Sequence, residues 1–119
     1  VVVETKSAKN ILEPLAWLLQ LITGTILVFL VTIHFYLTHM TSHDALRYEF
    51  VVERLSTSPY TAMYAILILT VTFHAFNGLR AIILDTEFGA KYRRVINMLI
   101  FLAFLSAFAY GIYLLATIP

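Results

Sequence analysis

Three stretches of the chain are apolar and almost free of charge, roughly residues 15–40, 60–84 and 95–118. Each is long enough to cross a bilayer as a helix, for which about 20 apolar residues suffice at roughly 1.5 Å rise per residue. Two polar segments separate them: 41–58, reading TSHDALRYEFVVERLSTS, and the shorter 85–94. The pattern predicts an all-α membrane protein of three transmembrane helices, preceded by a polar arm over residues 1–14. Glu13-Pro14 puts a proline at the expected first helical position, where its missing N–H costs nothing. In the first polar segment Leu46, Phe50 and Leu55 fit a short interfacial helix capped by Asp44. Ser-Thr-Ser-Pro at 56–59 then opens the second span.

Polar and small residues within the spans fall into stripes. In the first, Gln20, Gly24, Leu27, Val31, His34 and Thr38 alternate at spacings of four and three, which is one helix face. That face is expected to meet protein or a cofactor, leaving Ile26, Leu30 and Leu37 to lipid. In the second, His74, Asn77, Gly78, Ala81 and Asp85 share a face. The third offers Ala103, Ala107 and Gly111, a small-residue seam suited to close helix approach, with Tyr110 and Tyr113 near its far end.

Composition supports the same class. Of 119 residues 61% are hydrophobic and 13% charged, with a mean hydropathy of +0.86; soluble domains are nearer half apolar and a quarter charged. A formal charge of +1 without a basic run points away from nucleic acid. There is no cysteine, which excludes a disulfide, an iron–sulfur cluster or a thioether-linked haem on this chain. Val1–Asn10 lacks the pattern of a signal peptide, and the absent initiator methionine suggests that a few residues precede it. Lys6, Lys9, Lys91, Arg93 and Arg94 fall on one side of the membrane, against Arg47 and Arg54 on the other. The positive-inside rule then places the N-terminus and the 85–94 turn in the cytoplasm or matrix, and the C-terminus outside.

Candidate chemistry gathers in the second span. Ionisable groups at membrane depth are costly and usually mark a functional path. One imidazole, His74, with Gly78 a turn later makes a surface on which a flat, metal-containing ligand could lie. His34 is the second imidazole at depth. At about 1.5 Å per residue it lies roughly 9 Å from the outer face, and His74 roughly 22 Å. Two axial nitrogens on one iron stand only about 4 Å apart, so the two histidines are not expected to share a haem. Each would need a partner on another chain, with the inner haem level with Gly24, whose missing side chain leaves room for a porphyrin. The plainer readings are that His74 only hydrogen-bonds a neighbouring helix and that His34 is merely packed. His39, five residues on, is about 140° around the helix; it suits an interfacial place or a haem-propionate contact. His43 reads as solvated loop. Arg80 either snorkels to headgroups or pairs with a propionate. Asp85 is a helix-end aspartate or part of a proton or quinone site that Trp17 and Gln20 could line, though a Trp there also suits a belt role.

Together these residues resemble a known family. The pattern H-x3-G-x-R-x4-D, here His74, Gly78, Arg80 and Asp85, looks like the second helix of the small membrane anchors of succinate dehydrogenase and fumarate reductase. WLLQLITGTILVFLVTIHFYLTH resembles the first helix of the diheme-type anchors, most of all the D-type anchor of archaeal and related two-anchor enzymes. On that match His34 would be the distal ligand and His39 the follower. The resemblance implies two similar three-helix anchors that pack together and bind haem b, two being favoured and one possible. They would dock an iron–sulfur subunit and a flavoprotein subunit carrying FAD, which oxidises succinate, and pass electrons to quinone near the inner interface. It also implies residence in a prokaryotic cell membrane, or less readily the mitochondrial inner membrane. In single-haem relatives an Asp-Tyr pair ends this helix; here it is Asp85-Thr86, so only the aspartate carries over. Two alternatives stand beside this reading: one haem held through His74 alone, or a haem-free structural subunit of another respiratory complex.

Overall fold

The computed structural model describes residues 9–118, with side chains from Ile11 onward. The expected arm therefore lies mostly outside the described residues. Within them the chain is helical, without a strand. Helix α1, Lys9–Phe35, continues through a π-helical turn at Tyr36–Met40. A short helix α2, Tyr48–Leu55, leads into α3, Ser58–Leu84, and the five-residue α4, Glu87–Lys91, into α5, Arg93–Ala116. Three helices are thus long and apolar enough to span a membrane. The molecule measures 65 × 25 × 24 Å. Helix α3 is central and lies along both α1 and α5.

The burial pattern is that of a protein whose solvent is lipid. Among the described residues only Ala45 and Ile96 are buried apolar side chains, whereas Trp17, Phe29, Ile82, Phe101 and many others point outward. A monomer in water rarely tolerates so large an apolar surface. In a bilayer those side chains lie in a medium as apolar as themselves, so helix association relies on close fit and interhelical hydrogen bonds. The small-residue seam on α5 supplies the first. At Gly111 an added Cβ would stand 2.8 Å from Ile68 Cγ2, so the glycine is what lets α5 meet α3 there.

Several local expectations need correction. Helix α1 is already formed at Lys9, so Pro14 lies inside it; lacking an N–H, it forgoes one i→i−4 hydrogen bond there. Leu30 and Leu37 are half-buried and Val31 is exposed. The buried face thus follows Gln20, Gly24, Leu27, Leu30, His34 and Thr38, a slightly different drift around the helix from the expected stripe. Arg47, not Asp44, stands at the N-cap of α2. Asp44 belongs instead to a turn held by its amide donating to Ser42 Oγ (2.9 Å) and its carbonyl accepting from the Arg47 amide (2.9 Å). At the opposite end Thr86 caps α4, its hydroxyl accepting from the Gly89 amide at 3.0 Å.

Candidate functional site

Polar side chains meet where α1 crosses α3. Gln20 Nε2 donates to the His74 carbonyl (3.2 Å), and Gln20 Oε1 accepts from Asn77 Nδ2 (2.8 Å). Asn77 Nδ2 also donates to the Ala16 carbonyl (3.1 Å). Two glycines permit this approach. A Cβ on Gly24 would lie 3.1 Å from His74 Cε1, and one on Gly78 would lie 2.9 Å from Gln20 Nε2. The room expected beside Gly24 for a porphyrin is therefore taken, within this chain, by the imidazole edge itself. Interhelical hydrogen bonds in membranes contribute about 0.6 kcal/mol on average and up to about 1.7 kcal/mol. Gln20→Leu should accordingly cost about 1–2 kcal/mol, read as a lower melting temperature in detergent. Asn77→Leu on top of it should cost only the bond to Ala16, about 0.6 kcal/mol, because the bond the two share is already gone.

His74 is half-buried, and its Nδ1 lies 3.1 Å from Thr23 Oγ1. Its Nε2 has no hydrogen-bond partner among the described residues. Because no buried side-chain nitrogen or oxygen there is left unpaired, Nε2 must be accessible at the surface of the chain. His34 is half-buried too, with Nδ1 3.2 Å from the Tyr64 hydroxyl and the two rings edge to face at 5.5 Å. Tyr64 and His74 are ten residues apart on the one helix α3, so the two imidazoles sit at levels about 15 Å apart. The structure keeps them separate, as the depth estimate from the sequence had it.

The other candidates are dispersed. His39 is exposed on the π-turn, its ring 5.0 Å from that of Phe35, while Thr38 takes the buried position with its hydroxyl donating to the His34 carbonyl (2.8 Å). His43 lies exposed in the loop. Arg80 neither snorkels freely nor reaches outward: Nε donates to Asn97 Oδ1 (2.6 Å) and the guanidinium also pairs with Glu13, which Arg93 meets at 3.2 Å. Trp17 is 65% exposed, while Gln20 is committed to α3. Asp85 is the exposed C-cap of α3, eight residues beyond Asn77 and so about 12 Å further along the axis. Trp17, Gln20 and Asp85 do not form one pocket. A cleft of about 260 Å³ instead opens between α3 and α5, with Asn77, Arg80 and Asn97 at its polar part and Phe73, Phe76 and Phe104 among its walls.

Thr23, Tyr64, Glu13 and Asn97 were not singled out in the sequence. Thr23 adjoins Gly24, already placed level with His74, and Asn97 is a carboxamide in an apolar run, so both left a trace.

The donor set limits what metal could be held. Among the described residues no three or more metal-ligating side chains converge. A bare ion such as zinc typically needs three or four protein ligands. An imidazole standing alone at its level suits instead a metal that brings its own equatorial ligands, as haem iron does.

The family model described as the succinate dehydrogenase/fumarate reductase transmembrane subunit matches residues 7–114. A succinate dehydrogenase hydrophobic membrane anchor subunit of Archaeoglobus fulgidus is 60% identical over 116 residues, covering 98% of this chain and 99% of its own. Another, from Thermoplasma acidophilum, is 28% identical over 93 residues, or 77% of this chain and 76% of its own.

Proposed function

Because the chain belongs to the family of succinate dehydrogenase/fumarate reductase transmembrane subunits, and is thus an integral membrane anchor within an enzyme complex, we propose that it is a haem-b-carrying anchor. It binds haem jointly with a second, similar anchor and helps pass electrons from an iron–sulfur subunit to quinone. The flavin site that oxidises succinate belongs to another chain. The observation that carries this reading is His74: an imidazole at membrane depth, one nitrogen held by Thr23 and the other accessible and unpaired. Haem, when bound, supplies one-electron transfer at a potential set by its axial ligands and surroundings. The chain's part is to fix the imidazole in orientation and to exclude water with the surrounding apolar side chains.

Lys91, Arg93 and Arg94 orient the α3–α5 turn inward under the positive-inside rule. That puts the Glu13–Arg80–Arg93 cluster and Asp85 at the inner interface, on the side where the catalytic subunits dock and quinone is reduced. His34, about 15 Å away in level, serves a second haem nearer the outer face. One contact favours the single-haem alternative. The Tyr64 hydroxyl has no other acceptor among the described residues, and if it donates to His34 Nδ1 the ring proton sits on Nε2, which then cannot ligate iron.

The test is an optical spectrum of the complex purified from membranes. A reduced b-type α-band that diminishes or vanishes in His74→Ala, with the subunits still assembled, is the expected result. A complex without such a band is a haem-free assembly and overturns the proposal.

A further inference from the structure

We infer that Thr23 is a positioning residue for His74: it fixes the imidazole proton on Nδ1 and so keeps Nε2 as the nitrogen that meets iron. The inference rests on the haem reading above and deepens it. Thr23 Oγ1 lies 2.7 Å from the Leu19 carbonyl and 3.2 Å from that of Gln20, as well as 3.1 Å from His74 Nδ1. A threonine hydroxyl has one proton and two lone pairs. The Leu19 carbonyl, an acceptor only, is the shorter contact and takes that proton. What Thr23 then presents to His74 is a lone pair, and Nδ1 can satisfy it only by donating. In neutral imidazole the proton on Nδ1 leaves Nε2 deprotonated and able to ligate a metal.

Two further contacts make the arrangement directional. The Cε1 corner of the ring lies against Gly24, where an added Cβ would stand 3.1 Å away, and the His74 carbonyl accepts from Gln20 Nε2 at 3.2 Å. The ring edge and the backbone of His74 are thus both registered against α1. Hydrogen bonding at the far nitrogen of a ligating histidine fixes its tautomer and orientation and raises its basicity. The same logic does not hold at His34, because among the described residues Tyr64 has no second acceptor to claim its proton. Of the two imidazoles, only His74 has its tautomer dictated from within the chain.

The experiment uses the assembled complex carrying Thr23→Val, Thr23→Ala or Thr23→Ser, each normalised to the amount of assembled subunits. Valine and alanine abolish the acceptor; serine keeps it. With Val or Ala, the haem that His74→Ala removes should show a raised midpoint potential, since a less basic imidazole stabilises ferric iron less. Its affinity should fall by about 10–100-fold, while Ser restores both properties. Unaltered potential and haem retention in Val and Ala would overturn the role of Thr23 while leaving haem binding intact. If His74→Ala itself changes neither haem content nor potential, the haem reading has failed, which is a separable outcome.

Discussion

His34→Ala is expected to remove one of two potentiometric transitions from the purified complex and leave the other, which His74→Ala removes. The expectation follows from register. His34 is level with Tyr64, which its Nδ1 meets at 3.2 Å, and His74 is level with Thr23 and Gly24. Ten residues of α3 between Tyr64 and His74 put about 15 Å between the levels, and no rotation of either side chain brings both nitrogens within the roughly 4 Å that one iron requires. Two ligands at two levels mean two independent losses. Tyr64→Phe sharpens the result. If His34 ligates iron, its Nδ1 donates to the tyrosine oxygen, and loss of that acceptor raises the potential of the His34 haem alone. If His34→Ala leaves a single unchanged transition, His34 is a packed residue donating to or accepting from Tyr64, and the single-haem alternative is the correct one.

The sequence carried the parts of this molecule that depend on period and depth. Three spans, the α5 seam at Gly111 and the separate levels of His34 and His74 all follow from counting residues along helices. What it did not carry depends on rotation and on contact between distant positions. Whether Leu30 or Val31 faces α3 turns on one residue's worth of helical phase, and Val31 proved exposed. Thr23 was passed over for Gly24 for a similar reason: both lie on the α1 flank facing His74, yet only the hydroxyl can address Nδ1. Glu13 read as the end of a polar arm because nothing local reveals a partner 67 residues away. For Arg80 the sequence offers only lipid headgroups or a propionate as partners. Its actual neighbours come from the other two long helices, and no single-helix pattern contains them.

That cluster yields an asymmetric expectation. Arg80 is 17% exposed and Glu13 47%, so the cation is the more deeply placed partner. Arg80 Nε has Asn97 Oδ1 as a neutral acceptor, and Arg93 offers Glu13 a second cation at 3.2 Å. Removing the arginine leaves a half-exposed carboxylate that still has water and Arg93; screening makes this loss small. Removing the carboxylate leaves a half-covered guanidinium with only an amide oxygen. A pair this open to solvent contributes about 1 kcal/mol at most, and the less exposed guanidinium puts the loss of Glu13 at the upper end of that range. Glu13→Leu should therefore destabilise the complex in detergent more than Arg80→Met does. The double variant should recover most of the loss, because no half-covered guanidinium is left without its carboxylate. Melting temperatures of the four forms, taken at one lipid and detergent composition, decide it. A double variant as unstable as Glu13→Leu would mean that the three helices are joined there by the contacts themselves rather than by the need to compensate Arg80.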